Sequence, residues 1–302
     1  MTGTGTQADP LVITDAADLY SLSTSGGPAM YCKLGSDIDL NGTPYAENFS
    51  PIPLNCCELD GDGHCIRNIY VNTPNRNVKV FNIPFYGGDM VLKNLRLENT
   101  ELIGENISVI ASDYQNTVSL YNCTFVLNIR RMSDMSAIST THCLMASERV
   151  SLSMELSTIA VSGYYKRQFA VARNSQVRRC HFHLVLEIGL GDTSDGSSGS
   201  FLTGCTLTDS YVTGSITAAS QLTDSTNMSY NCSFNNSYTA LSYINQNNVY
   251  WNGNMTTPCF YDKELAGNRD FTASRTYYGL TTVQCKNAEY LQSIGFLVAG
   301  GE

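Results

Sequence analysis

The sequence is poor in charge, and poorer still in positive charge. Charged residues make up 15% of its 302 positions, with 18 Lys and Arg against 27 Asp and Glu and a formal net charge of −9. A surface that tracks nucleic-acid phosphates needs a basic stripe. The densest basic pairs here, Arg130-Arg131 and Arg178-Arg179, are too few to build one, and read as solvated or interface arginines. No apolar run approaches the ~18 residues of a membrane span. P-loop, GxSxG, HExxH and paired CxxC spacings are all missing, so the commonest nucleotide, acyl-transfer and zinc chemistries have no motif to stand on. The opening MTGTGTQ has no basic stretch followed by an apolar one, so no secretory signal is expected. Without secretion, Asn-x-Ser/Thr sequons such as those at Asn122 and Asn231 carry no meaning.

What the chain does have is apolar and small polar residues. Hydrophobic residues make up 42%, enough for a substantial core, and the Tyr, Phe and β-branched content argues against disorder. Ser, Thr, Asn and Gly fill much of the rest, as expected where strands alternate with tight turns. The 11 cysteines are spread along the chain and odd in number, so at least one stays unpaired within it. They are expected as reduced, buried thiols, not as a disulfide framework.

Four of those cysteines mark a repeat: NCTF at Asn122–Phe125, RCHF at Arg179–Phe182, GCTL at Gly204–Leu207 and NCSF at Asn231–Phe234. In each, Cys is followed two residues later by Phe or Leu, which on a strand places both on one face. That face must be apolar. Weaker copies occur at Cys65–Val71 and Val91–Asn99, and Val118-Ser119-Leu120 and Val150-Ser151-Leu152 open two similar segments. One register through Asn68, Asn94, Asn122, Met154, Arg179, Gly204 and Asn231 gives steps of 26, 28, 32, 25, 25 and 27 residues. A strand returning at about that period, with no amphipathic helix between copies, is the mark of a β-solenoid. The predicted core contains Cys123, Phe125, Cys180, Phe182, Cys205, Leu207, Cys232 and Phe234.

The N-terminal region differs. A short strand is expected at Leu11–Ile13, then a helix capped by Thr14 or Asp15 and carrying Ala16, Ala17, Leu19, Tyr20 and Leu22. A Gly-Gly-Pro break and a strand over Met30–Gly42 follow, together a plausible cap for a first layer that would otherwise expose unpaired backbone. The order GTGTQADPLVIT, ADLYSLS, YCKLGSDIDLNG, LDGDGHCIRNIYV resembles the opening of right-handed parallel β-helix proteins with GLUG-like repeats, which occur on bacterial surfaces and in bacteriophage particles. The end, Tyr250-Trp251-Asn252, then Cys259–Gly267 and Tyr277–Phe296, resembles their closing segment: an extended strand, a GLTT turn, a short helix and a Gly-aromatic pair. The motifs that carry this resemblance are structural, so they speak to fold more than to activity.

Each candidate site has a plainer competitor. Asp37, Asp39 and Asn41 partly fit a calcium loop, but its closing Glu position is Asn48, and Ile38 and Leu40 alternate with the acids as core residues would. Asp60, Asp62 and His64 could form an acid–base set, yet Asp on a Gly-spaced turn more often shapes the bend. His181 and His183 flank Phe182 and are expected to face outward, either as an ordinary surface pair or as two metal ligands awaiting a third. The loop at Gly189–Ser200 holds Asp192 and Asp195, a conceivable carboxylate pair for glycoside cleavage on a segment whose Gly and Ser favour a contact loop. Tyr164-Tyr165 and Tyr277-Tyr278 are candidate aromatic platforms.

The expected fold is all-β: a single-stranded right-handed parallel β-helix over 46–255, with an N-terminal helix–strand cap over 1–45 and a C-terminal closing extension over 256–302. No catalytic, cofactor-binding or metal-ligating residue is assigned, and no cofactor is expected. The resemblance, taken with the absent export signal, implies a non-enzymatic structural protein of a bacteriophage virion, made in the host cytoplasm. It would decorate the head or form part of a tail or fibre. Expected partners are other capsid or tail proteins and further copies of itself, three by analogy, with a host-surface glycan as a further possibility and neither nucleic acid nor membrane. The alternative is a tailspike-like β-helix that binds or cleaves carbohydrate; it requires a groove with acids and aromatic platforms. An adhesin of a bacterial surface is a third reading.

Overall fold

A computed structural model describes residues 1–43, 50–85, 88–131, 142–147, 149–166, 169–189, 200–222, 226–246, 249–255, 259–267 and 277–296. The protein is all-β, with two 12-stranded sheets whose named strands pair in parallel, and only short helices. Among the described residues no helix is long and apolar enough to cross a membrane.

The chain visits the two sheets alternately. The first sheet orders Leu11–Ile13, Tyr31–Leu34, Glu58–Asp60, Asp89–Lys93, Asn116–Tyr121, Val150–Glu155, Gln176–Arg178, Thr206–Thr208 and Thr226–Asn235 side by side. The second orders Ile38–Asp39, Cys65–Arg67, Arg96–Ser112, Thr124–Arg131, Thr158–Lys166, His181–Gly189, Tyr211–Leu222, Tyr238–Gln246, Cys259–Asp262 and Tyr277–Leu280. A third run of bonds lies beyond the second: Ile52 pairs with Phe81, Val78 with Ile107, and the Val109 amide donates to the Leu144 carbonyl. The same run continues through His142–Cys143 beside Phe169–Ala170, and Ala172–Arg173 beside Leu202–Thr203.

Alternation along each strand explains the core. In Thr124–Arg131, Phe125, Leu127 and Ile129 are buried, while Val126, Asn128 and Arg130 are exposed. The next strands repeat the pattern in register, Phe125 beside Ile159 and Ile159 beside Phe182. Inward residues of both sheets and the third run merge into one apolar cluster that includes Phe81, Phe125, Phe182 and Phe234. Burying one such side chain is worth about 1.5–3 kcal/mol, so the cluster is the main source of stability. All eight residues expected in the core, from Cys123 to Phe234, are buried. Every cysteine whose side chain is described is a thiol.

At the N-terminus, Leu11–Ile13 is a strand, and Asp15 caps the helix Ala16–Ser25 (α1) by accepting from the Asp18 amide at 2.8 Å. Ala16, Leu19 and Leu22 face the core. The strand expected over Met30–Gly42 is in fact two: Tyr31–Leu34 joins the first sheet and Ile38–Asp39 the second. Gly35, Ser36 and Asp37 turn the chain between them. At the other end, Thr281 starts Thr282–Cys285 (α2) with a capping box, and Ala288–Ser293 (α3) follows. These helices fold back so that Leu291 and Phe296 cover Phe260 in a small second apolar cluster.

Candidate functional site

Two kinds of polar surface stand out from this frame: the corners where the chain passes from the first sheet to the second, and the outer faces of the sheets. From Lys93 onward each corner turns on one residue with positive φ. Asn94, Asn122, Leu156, Arg179, Asp209 and Asn236 all lie at φ between 46 and 53. Their spacings are 28, 34, 23, 30 and 27 residues. A second set, Asn174, Gly204 and Asn231, turns the chain between the third run and the first sheet. Asn and Gly tolerate this left-handed conformation best. The single register read from the sequence therefore joined three different positions: Asn68, which belongs with Asn99, then the first set from Asn94 to Arg179, then the second from Gly204. It also placed Met154 where Leu156 does the turning; Met154 is an inward strand residue.

Corner side chains bond from one strand level to the next. Asn94 Nδ2 donates to Asp60 Oδ1 at 2.9 Å, and Asn122 Nδ2 to Asn94 Oδ1 at 2.8 Å. A parallel ladder runs from Asp39 to Asn68 (2.7 Å) and on to Asn99. Directly after each corner residue of the first set from Asn122 onward stands a small inward side chain: Cys123, Ser157, Cys180, Ser210, Ser237. The amide of Cys123 donates to Ser157 Oγ at 3.1 Å, and that of Cys180 to Ser210 Oγ at 3.1 Å. Thus the four repeat cysteines do not form one column: Cys123 and Cys180 share theirs with serine and are separated by Ser157, whereas Cys205 and Cys232 are neighbours, the Cys205 amide donating to Cys232 Sγ at 3.4 Å. Burial pushes the Cys123 thiol up to about 11, so it stays protonated.

The acids singled out from the sequence are absorbed by these ladders and by ion pairs. Asp37 accepts from the Cys65 amide at 3.1 Å and lies 3.4 Å from His64. Asp39 accepts from Asn68 Nδ2, the Asn41 amide and Arg67 Nε, which hold its carboxyl below the usual range. Burial pushes Asp60 up, but bonds from Asn94, the Asp62 amide and Lys93 outweigh it. Asp62 meets Lys33 at 3.0 Å. These groups do not converge, and among the described residues no set of three His, Cys, Asp or Glu is placed to hold a metal. Asp192 and Asp195 lie outside the described residues, as do Asn48 and the side chains of Tyr165, Tyr277 and Tyr278. Tyr164 is described, on an outward position beside Arg130 and Glu187.

His181 and His183 face outward as expected, and both imidazoles turn to one hydroxyl. His181 Nε2 is 2.7 Å and His183 Nδ1 2.9 Å from Thr213 Oγ1 on the neighbouring strand. His181 also begins an aromatic stack that sequence reading missed. Its ring lies 4.2 Å from Tyr211, Tyr211 lies 5.2 Å from Tyr238, and Tyr238 lies 5.0 Å from Phe260, with Phe296 packed edge-on against Phe260. Register makes the stack: His181, Tyr211, Tyr238 and Phe260 are paired in that order across four strands. Burial, then the neighbouring His183, depress the His181 pKa. Successive members are 30, 27 and 22 positions apart, so only knowledge of the register could have joined them.

No protein-family model matches the sequence, and no curated protein matches it. One solved structure is similar over 97% of this chain and 88% of its own, at 14% identity and a TM-score of 0.49: the crystal structure titled as that of a "putative immunoglobulin A1 protease from Bacteroides ovatus". A likeness that slight carries no argument about activity.

Proposed function

We propose that the chain winds as a single-stranded right-handed parallel β-helix and serves as a non-enzymatic structural protein of a bacteriophage particle, working through protein–protein contacts. Alternate visits to two parallel sheets, at corner spacings averaging about 28 residues, support the winding, and parallel crossovers are right-handed in ~98% of cases. The observation that carries the non-enzymatic reading is the use of the polar groups. Asp37, Asp39, Asp60 and Asp62 accept bonds or ion pairs that tie neighbouring turns together, and so are spent on holding the stack. The resemblance of both chain ends to phage and surface β-helix proteins supplies the virion, and contacts with other capsid or tail proteins follow from it.

The test is mass spectrometry of purified phage particles from the cells that make this polypeptide. The chain should be found in them: hundreds of copies per particle would place it on the head lattice, and a handful to a few dozen in the tail, fibres or a vertex. Its absence from particles, or release of sugar from host-surface polysaccharide by the purified chain, would overturn the reading.

A further inference from the structure

The outer face of the second sheet contains a stretch without charge. On the five successive strands that begin at Thr124, Thr158, His181, Tyr211 and Tyr238, the first three outward positions hold no Lys, Arg, Asp or Glu. Val126 and Val185 stand 46% and 45% exposed there, beside exposed Ser162 and His183. Charged side chains surround the stretch. Arg96 lies on the strand before it, Arg130 and Glu187 occupy the fourth outward positions of two of its strands, and Lys263 and Glu264 follow Cys259–Asp262, the strand after it. Depletion of charge at the centre with a polar rim is the composition of a protein interface. The same sheet is already covered where it ends, by Phe296 and Leu291 over Phe260.

We propose that this charge-free stretch docks a second copy of the chain, face to face, in a two-fold dimer. Three observations select that occupant. The stretch is the outer face of five strands paired in register, and what packs on a sheet face at the ~10 Å stacking distance is another sheet. A chain of net charge −9 repels its own copy, and this stretch lets two copies meet without apposing like charges. A two-fold axis brings the same patch to both sides. Sugars are a poorer fit, because they stack on ring faces, and Tyr211 and Tyr238 cover each other's faces at an interplanar angle of 3°. Strand spacing and rise give the stretch an area on the order of 500 Å². That is near the small end of specific interfaces, so the dimer is expected to dissociate in the micromolar range. The inference does not depend on the virion reading.

Analytical ultracentrifugation of the full chain from about 1 to 200 µM tests it. A species of twice the 33.0 kDa chain mass should accumulate with concentration. Val185→Arg and Ser162→Glu, each adding a charge at an exposed site in the stretch, should raise the dissociation constant about tenfold or more. Thr117→Arg, exposed on the outer face of the first sheet, should leave it unchanged. Resistance of Cys180 to thiol reagents in each variant shows that the fold is intact. A chain monomeric throughout, with the patch left to some other protein, overturns the proposal. So does a dimer that neither variant weakens, or an assembly of three.

Discussion

The two sheets share one construction and differ in what they show to solvent. Both are parallel, with alternate residues turned into a common core. Outward positions of the first sheet carry Lys33, Glu58, Asp60, Asp89, Lys93, Glu155 and Arg178. These charges answer one another across strands: Lys93 lies 2.8 Å from Glu58 and 3.3 Å from Asp60, and Glu155 meets Arg179 at the corner. The second sheet begins the same way, with Arg67 against Asp39 and Arg96 against Glu98. From Thr124 onward its first three outward positions change to Thr, Val, Asn, Ala, Ser, His and Tyr. Exposed ion pairs contribute only about 0–1 kcal/mol each, so the contrast has little to do with stability. It concerns what each face admits: the first keeps water, and the second can lose it at low cost.

Substitutions on either side of one strand should give the largest contrast. Phe182→Ala empties a fully buried site and should cost about 3–5 kcal/mol, whereas Val185→Ala, on the outer face of the same strand, should cost under about 0.5 kcal/mol. Urea unfolding of the two variants measures the difference, and similar values would mean that the alternation has been misassigned. The corners come next. Asn94→Ala removes bonds to both neighbours and the short polar side chain that eases the left-handed backbone at φ 52, for an expected loss of about 1–3 kcal/mol. At Leu156, with φ 52, the sequence already bears that strain. Leu156→Asn should therefore stabilise by about 1 kcal/mol, seen as a higher midpoint in the same titration.

Smallest of all should be the response to pH, and it separates the histidine of the aromatic stack from the ladder acids by window. On the second sheet, His181 is held below its ordinary pKa, so the unfolded chain takes up its proton first. The stability it contributes is full above about pH 6.5 and is lost as pH falls through the folded value. Among the ladder acids, the depressed Asp39 and Asp60 carboxyls contribute stability that is full above about pH 4 and is lost below it. His181→Gln should flatten only the upper window, and Asp60→Asn only the lower. NMR titration of the imidazole is the sharper check; a His181 pKa above its unfolded value would reverse the sign of the first effect.

The sequence by itself determined the strands, their inward faces and their approximate period, because alternation of side chains is local and a buried Cys or Phe two residues apart marks a face wherever it occurs. Capping is local too: the chain offered Thr14 or Asp15 at the first helix, and Asp15 does it; the apolar run of each core strand was legible in the same way. What tertiary structure decided was partnership. Asn122 and Asn231 read alike in NCTF and NCSF, yet they turn at different corners, because which corner a left-handed residue occupies depends on the loop lengths before it. Serines 157, 210 and 237 carry no signal in the chain until register puts them in the cysteine column. The aromatic stack and the charge-free face have the same origin. They are made by residues one full repeat apart, and lateral pairing of parallel strands is the step that local sequence does not encode.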